Sequence, residues 1–211
     1  VDFIPAGSFS NEVFGGGVFN IGNVYAALGF IVVMIRCRGT GQRNRSFEAD
    51  KDSPLLYNSH QDDVVAGVQQ LANRYSYIDV DRVGVSGYPG AAVVSGLFRY
   101  PHFYKVGVSN DGFYDSRLLS NAIGDITAEG QLLSEDLQPH LHLENYAKDF
   151  QGKLLLIHGM LDNAAPVSQV FRLVEALQLA NKDFDLLLLP NMGHGAGSGA
   201  RYALRRKWDY F

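Results

Sequence analysis

Apolar and polar positions along this chain follow two recurring patterns. Short apolar runs rich in β-branched residues predict buried strands, whereas apolar residues at 3.6-residue spacing, such as Val64, Val68 and Leu71, predict helices. The predicted strands are Val1–Pro5, Phe30–Arg36, Arg82–Ser86, Tyr104–Ser109, Lys153–His158 and Phe184–Leu189. The predicted helices are Asp63–Tyr75, Gly90–Phe98, Val167–Leu179 and Ser198–Phe211.

Strands that alternate with helices indicate βαβ crossovers, and hence a mostly parallel, doubly wound α/β sheet with helices on both faces. The strand runs are apolar throughout, as expected for strands that helices cover on both sides. The region Tyr114–Asn145 breaks this rhythm because it is polar and has no strong period. We predict an inserted helical excursion or lid there, within a single domain that spans residues 1–211.

Composition supports a folded domain rather than a disordered chain. Of the 211 residues, 46% are apolar, which is enough to build a core. The net charge of −4 provides no basic field for nucleic acid or an anionic membrane. The longest apolar stretch, Gly29–Ile35, is far shorter than the about 20 residues of a membrane-spanning helix. A single cysteine, Cys37, excludes an intramolecular disulfide.

The chain begins at Val1, without Met, in a run that already resembles a strand. No charged segment followed by an apolar one precedes that run. We therefore expect this chain to be the C-terminal part of a longer protein, with any targeting signal upstream. The compartment is left open between cytoplasm and periplasm.

Three polar turns follow predicted strands, where the chemistry of parallel sheets collects. Asp162, just past a buried strand, is placed to accept a hydrogen bond from an imidazole and fix its tautomer. His194, between Gly193 and Gly195 after the next strand, supplies such an imidazole. The order Asp before His is that of α/β-hydrolases, in which the nucleophile comes first. His158 is expected to bond to backbone near the Asp162 turn. The three turns are Gly84–Gly90, His158–Pro166 and Asn191–Gly197.

The nucleophile of such a triad belongs on a strand–turn–helix elbow of the form G-x-S-x-G. An elbow is present between the strand Arg82–Ser86 and the helix Gly90–Phe98, but its central residue is Pro89. Proline carries no nucleophilic atom, and its fixed φ does not suit the strained turn. Ser86 lies three residues earlier, without the second small residue that close helix packing requires. We predict that it is a hydroxyl at a strand end.

Several segments, in this order and spacing, resemble the C-terminal domain of the prolyl oligopeptidase family, in its dipeptidyl peptidase IV branch. The resemblance runs over nearly all of the chain. The segments that carry it are Gly29–Val33, Arg38–Gly41, Ile78–Val85, Arg99–Ser109, Leu154–Gly159, His194–Gly195 and Arg205–Phe211.

The resemblance implies an α/β-hydrolase fold and a serine peptidase that needs no cofactor and no metal. It implies that Asp162 and His194 match the triad aspartate and histidine. Tyr114 resembles an aromatic residue that lines the pocket for the side chain before the scissile bond. The implied partners are a peptide or small acyl substrate, an upstream propeller domain of the same chain and a second copy of the chain.

The chain departs from the family pattern where the nucleophile belongs. Counted from Asp81, the nucleophile position falls on Pro89; counted back from Arg99, it falls on Gly87, so the elbow is about two residues short. Neither residue is a serine. The tyrosine that donates to the oxyanion would fall near Pro5, which cannot donate a hydrogen bond.

Two further departures lie away from the elbow. Ala164 and Ala165 replace the polar residue and the valine that the family pattern has after Asp162-Asn163. The segment after Leu118 lacks the aromatic-rich stretch of active members.

Three hypotheses follow. The first is a catalytically degenerate peptidase-like domain, a pseudoenzyme that keeps the fold for binding, scaffolding or pairing with other domains. The alternative is an active serine hydrolase or exopeptidase with Ser86 as nucleophile, Asp162 as orienting carboxylate and His194 as base. The third is a ligand-binding module that uses the crevice near Tyr114 and His194.

Other clusters of polar residues are better explained without chemistry. His140, His142 and Glu144 fall in the polar excursion, where we expect a solvated loop rather than a metal site. Cys37, at the end of a buried strand, is predicted to be a core residue. One local basic cluster has no glycine-rich cradle before a helix, so we expect a structural loop there rather than a phosphate site. The cluster consists of Arg36, Arg38, Arg43 and Arg45.

Overall fold

Six strands form one sheet in the computed structural model, which describes residues 2–4, 21–35, 37–38, 58–87, 90–115, 118, 142–195 and 201–211. The strands are β1 (Asp2–Ile4), β2 (Val33–Met34), β3 (Val83–Gly87), β4 (Tyr104–Asn110), β5 (Lys153–Gly159) and β6 (Asp185–Leu189). All neighbours pair in parallel, in the order β2-β1-β3-β4-β5-β6. The predicted parallel α/β sheet is confirmed.

Helices cover both faces of this sheet. They are α1 (Ile21–Ala27), α2 (Asn58–Arg74), α3 (Gly90–Arg99), α4 (Ser168–Leu179) and α5 (Arg201–Tyr210). Along β5, Leu154 and Leu156 pack with α3 and α4, whereas Leu155 and Ile157 pack with Ala203 of α5. Because side chains alternate between the faces of a strand, this one run of apolar residues supplies two cores.

The predicted boundaries are confirmed to within one residue for β3, β4, β5, β6, α3 and α4. The predicted helix Asp63–Tyr75 begins earlier, at Asn58, and the predicted start of the last helix at Ser198 lies outside the described residues. The predicted strand Phe30–Arg36 was too long. Within the described residues, β2 pairs only with β1, through Val33 and Met34, so the ladder is two residues long.

The base of the predicted excursion Tyr114–Asn145 is held by backbone contacts. Asp115 and His142 form an antiparallel bridge, and the N–H of Leu143 donates to the Tyr114 carbonyl over 2.9 Å. A 3-10 segment, Leu143–Asp149, follows and contributes buried apolar side chains. The domain core therefore reaches further into this region than predicted, and residues 119–141 lie outside the described part of the chain.

The strand order reverses between β1 and β3, since the chain passes outward to β2 and then returns. Ligands of open parallel sheets bind outside the carboxyl ends of the strands at such a reversal. The turns after β3, β5 and β6 share this carboxyl edge because all the strands run the same way. Among the described helices, none has the length and apolar character to cross a bilayer.

Candidate active site

Asp162 lies in the turn directly after β5, and backbone groups fix its side chain. One carboxylate oxygen, Oδ1, accepts the N–H groups of Ala164 and Ala165 over 2.9 and 2.8 Å. Aspartate commonly orders a turn in this way, by accepting from backbone two or three residues ahead. The side chain is fully buried, and its second oxygen, Oδ2, points toward the next turn.

His194 reaches this second oxygen from the turn after β6. Its Nδ1 lies 2.7 Å from Asp162 Oδ2. An ionised carboxylate can only accept, so Nδ1 carries the proton, and in the neutral ring Nε2 is the nitrogen with the lone pair. This is the tautomer that a base in a hydrolase triad requires. The structure thus brings together the two residues that the sequence predicted as acid and base; their catalytic role stays a prediction.

The two turns also contact each other through backbone. The N–H of Met160 donates to the Leu189 carbonyl over 3.0 Å, and the N–H of Leu161 donates to the Met192 carbonyl over 2.9 Å. A Cβ on Gly159 would lie 2.5 Å from the Met192 and Gly193 carbonyl oxygens, so only glycine fits there. Asp162 and His194 are therefore held by two turns that pack directly on one another.

His158 makes the backbone contact that the sequence predicted. The ring is fully buried, and Nε2 donates to the Ala165 carbonyl over 2.8 Å. The same nitrogen lies 3.7 Å from Asp162 Oδ2. His158 thus stabilises the Asp162 turn from within the core and does not face the solvent at the carboxyl edge of the sheet.

Sequence reasoning missed Phe113, whose ring centroid lies 5.4 Å from that of His194. Phe113 follows β4, as Asp162 and His194 follow β5 and β6. It also missed Asp111 in the same turn and Lys207 in α5, both buried. The polar run Ser109-Asn110-Asp111 could have indicated these residues. It lies at the end of a predicted strand, as do the three turns considered above.

Ser86 lies inside the fold rather than at the open edge. It is a β3 residue that is 2% exposed, on the face covered by α1 and α5. Burial raises the pKa of the Tyr25 hydroxyl above its usual value, and the nearby Ser86 side chain opposes part of that rise. The hydroxyl of Ser86 thus lies near a buried tyrosine of α1.

The sheet register places Ser86 below the level of the turns that carry Asp162 and His194. Ser86 is level with Val108 in β4, Val108 with Leu155 in β5, and Leu155 with Asp185 in β6. His158 is three residues further along β5 than Leu155. At about 3.3 Å per residue, Ser86 lies roughly 10 Å below that level along the strand direction.

The elbow itself lies between the end of β3 and the start of α3. Its two central residues, Tyr88 and Pro89, are outside the described residues, as is Pro5, the predicted oxyanion position. The first residue of α3, Gly90, is packed tightly against β4. A Cβ there would lie 2.3 Å from Ser109 Oγ and 2.6 Å from the Asn110 backbone, so the helix start requires glycine.

Tyr114, the predicted pocket residue, lies in the core and is 1% exposed. Ser109 Oγ donates to the Gly90 carbonyl over 2.8 Å, so the Tyr114 hydroxyl is the donor in its 2.7 Å contact with Ser109. Burial raises the pKa of Tyr114 well above its usual value. In this position the ring connects β4 to the start of α3, and its role in binding a substrate stays a prediction.

Three ligand-type side chains, of Asp115, His142 and Glu144, place one donor atom each within 4.8 Å of one another. The carboxylate of Asp115, however, forms a 2.9 Å ion pair with Arg172. Asp115 therefore has a structural partner already. His140 lies outside the described residues.

The remaining candidates are structural where they are described. Cys37 is buried as predicted. Arg38 forms an ion pair with Asp63 of α2, at 2.9 Å. The other arginines of the basic cluster, Arg36, Arg43 and Arg45, lie outside the described residues.

An aspartate after one strand, a histidine after the next and a glycine-lined elbow after β3 form the arrangement of an α/β-hydrolase site. The sequence profile of the prolyl oligopeptidase family matches residues 18–211. The chain belongs to this family. The family resemblance and the α/β-hydrolase fold predicted from the sequence are both confirmed.

Individual relatives in the prolyl oligopeptidase family agree with this assignment. Human dipeptidyl peptidase 8 is 31% identical over 197 residues, which are 86% of this chain and 21% of that protein. A solved structure of a putative dipeptidyl aminopeptidase IV from Bacteroides ovatus gives a TM-score of 0.85 at 25% identity, over 99% of this chain and 30% of that chain. The structure of a puromycin-hydrolysing peptidase of Mycobacterium tuberculosis supports the fold alone, with a TM-score of 0.84 at 18% identity over 99% of this chain and 33% of that chain. The chain spans about a fifth of the length of the curated dipeptidyl peptidases that it matches.

Proposed function

We propose that this chain is a prolyl oligopeptidase-family domain, of the dipeptidyl peptidase IV type, that lacks a serine nucleophile but keeps the fold and the aspartate–histidine pair. Its role in this proposal is binding or scaffolding, with little or no peptidase activity. The observation that carries the proposal is the short junction between β3 and α3.

The junction offers no side chain suited to nucleophilic attack. β3 ends at Gly87 and α3 begins at Gly90, so Tyr88 and Pro89 alone connect them. None of these four residues is Ser, Thr or Cys, whose hydroxyl or thiol attacks a carbonyl once a base activates it. Because Gly90 has no room for a Cβ against β4, the helix start cannot slide to bring another residue into the turn.

The position of Ser86 argues against its use as a substitute nucleophile. Its hydroxyl is buried near Tyr25 and lies below the level at which His194 sits. To reach the imidazole, β3 would have to break its register with β4, in which Ser86 pairs with Val108. That change would disrupt the centre of the sheet.

Loss of the nucleophile removes most of the catalysis of a triad, and what remains depends on oxyanion stabilisation and binding. His194 Nε2 can still accept a hydrogen bond from a ligand, beside the Phe113 ring. The relatives are dipeptidyl peptidases by name, so we propose peptides as the ligand class.

The intact 2.7 Å contact between Asp162 and His194 is the observation that favours the alternative, an active serine hydrolase or exopeptidase that uses Ser86. The two functions are separated by a hydrolysis assay on the full chain, with a chromogenic dipeptide amide and a more reactive ester. The variants are Ser86→Ala and His194→Ala. We expect the unaltered protein to turn over neither substrate faster than His194→Ala does.

Turnover that falls about a hundredfold or more in both variants would establish the alternative. Turnover that is lost in His194→Ala but kept in Ser86→Ala would identify another nucleophile and would also contradict the proposal. Calorimetric titration with a short peptide tests the binding role. Binding that weakens in His194→Ala is the expected result, and the absence of binding to any of a panel of peptides would contradict it.

The proposal includes the partners that the family resemblance implies, an upstream propeller and a second copy of the chain. Pairing with a second copy is tested on the natural full-length protein by its molar mass in light scattering. A mass equal to twice the chain mass supports pairing, and a monomer over the micromolar range contradicts it.

A further inference from the structure

A buried group of charges lies directly beneath the Asp162–His194 pair. Asp111 and Asp162 are both buried, and together with His158 each places one donor atom within 4.8 Å of the others. Two carboxylates so close together in the core repel each other, and removing them from water is costly without a compensating cation. A nearby cation would offset part of this cost.

Lys207 of α5 is a buried cation that feels the charge of Asp111. It is 3% exposed, on the same helix face as the buried Ala203. Burial lowers the pKa of Lys207 from 10.5 to about 8, and the negative charge of Asp111 acts in the opposite direction. Asp111 is thus a carboxylate whose field reaches this lysine in the interior.

Asp111 also holds the turn that carries Asp162. Its Oδ1 accepts the N–H of Gly159 over 3.0 Å, and its own N–H donates to the Ile157 carbonyl over 3.0 Å. These contacts clamp the end of β5, from which the chain turns to reach Asp162. A charge-assisted hydrogen bond of this kind is stronger than one between neutral groups.

The backbone at Asp111 is in the left-handed region, with φ +42°. Residues other than glycine adopt this conformation at a cost, and Asp and Asn do so more readily than most. Such strain persists where the surrounding structure enforces it, and it clusters near functional sites. Here the strain aims the Asp111 carboxylate at the Gly159 turn.

We propose that Asp111 is a positioning residue for the Asp162–His194 pair, and that Lys207 is a counter-charge that offsets part of the cost of burying the Asp111 carboxylate. Asp111 fixes the end of β5, the end of β5 fixes the Asp162 turn, and Asp162 then accepts from His194. The inference does not depend on the proposed function, because the pair can be held in place whether or not a nucleophile is present.

The test reads the hydrogen bond itself, by proton NMR of the full chain. The His194 Nδ1 proton gives a low-field signal that is assigned by its absence in His194→Ala. Three variants are compared with the unaltered protein: Lys207→Met, which removes the charge at similar volume, Lys207→Arg, which restores it, and Asp111→Asn. The asparagine keeps an acceptor and tolerates the left-handed backbone, but it lacks the charge.

We expect the signal to be lost in Lys207→Met and Asp111→Asn and kept in Lys207→Arg, with cooperative unfolding in each. In the same two variants the Gly159 amide should exchange with solvent about tenfold faster, while the Val85 amide in β3 should not change. A signal and a Gly159 exchange rate that stay unchanged in both charge-removing variants would overturn the proposal. If Lys207→Met does not fold, Asp111→Asn decides by the same two readings.

Discussion

At the turns after β5 and β6, Asp162 accepts two backbone N–H groups and a third hydrogen bond from His194. At the junction after β3, the four residues Gly87 to Gly90 offer no serine, threonine or cysteine. The two regions lie at the same edge of one sheet and belong to the same kind of site. In the proposed function, the first region keeps its aspartate–histidine pair and the second lacks a nucleophile.

The difference follows from what each side chain contributes to the fold. Replacing Asp162 would leave two N–H groups and a histidine without their acceptor, which is expensive in a buried turn. A nucleophile at the tip of an elbow satisfies no such group, so its loss leaves stability unchanged. Stability alone is therefore enough to preserve the aspartate–histidine pair in a domain without activity.

The largest difference in stability is expected between alanine substitutions at two glycines, Gly90 in the elbow and Gly193 in the turn that carries His194. In Gly90→Ala the new methyl group collides with Ser109 Oγ and the Asn110 backbone, and we expect a loss of about 3 kcal/mol in the free energy of unfolding. In Gly193→Ala the nearest atom is the Leu161 carbonyl oxygen at 3.7 Å, which is ordinary contact. Urea unfolding of both variants measures the contrast, and equal losses would show that the elbow is not tightly packed.

The next largest effect is the change of stability with pH that the buried Lys207 causes. Burial lowers the pKa of Lys207 from its usual 10.5 to about 8. Between these two pH values, Lys207 keeps its proton in the unfolded chain but has released it in the folded chain. Stability rises with pH wherever the unfolded state binds more protons. At about 1.4 kcal/mol for each pH unit in this window, the gain from about pH 7.5 to about pH 9.5 is roughly 2 kcal/mol.

Lys207→Met should lack this gain, so the measurement is the difference in unfolding free energy between the two proteins at the two pH values. A matched control is Lys182→Met, at a lysine that is not buried, which should follow the unaltered protein. The same pH dependence in Lys207→Met as in the unaltered protein would mean that Lys207 does not titrate in this range.

A smaller effect is expected at Tyr114, which joins the two regions through Ser109 and Gly90. Tyr114→Phe removes the donor to Ser109 Oγ, and we expect a loss of about 1 kcal/mol. Peptide affinity should not change, because the ring is buried in the core. Calorimetry with the same peptide checks this, and a large loss of affinity at unchanged stability would confirm the predicted role of Tyr114 as a pocket residue.

The smallest effect is expected at Ser86. Ser86→Ala removes a buried hydroxyl near Tyr25, so the unfolding free energy should fall by about 1 kcal/mol or less. Tyr25→Phe is the matched control and should show a comparable loss. Neither hydrolysis nor peptide affinity should change in Ser86→Ala. Any activity that this variant abolishes would contradict the contrast drawn between the elbow and the turns that carry Asp162 and His194.

The regular elements and the acid–base pair could be predicted from the sequence because both depend on local pattern. Apolar runs such as Lys153–His158 have one interpretation, and a polar residue after such a run marks the active edge of the sheet. Asp162 and His194 were found in this way.

The rest depends on contacts between distant segments, which one sequence does not display. Lys207 lies in a charged helix segment, Arg205-Arg206-Lys207, and only the packing of α5 shows which of the three is buried. Asp111 required a left-handed backbone that no composition rule predicts at that position. The predicted strand Phe30–Arg36 was too long because its pairing is limited by the two residues that contact β1.

The central claim, that this domain has no nucleophile within reach of His194, is tested most directly by intact-protein mass spectrometry after treatment with a fluorophosphonate. An active serine peptidase of the same family serves as the positive control. The account predicts that the control gains one phosphonyl group per chain while this protein keeps its original mass. A stoichiometric adduct that requires His194 would contradict it, and the modified residue would identify the nucleophile.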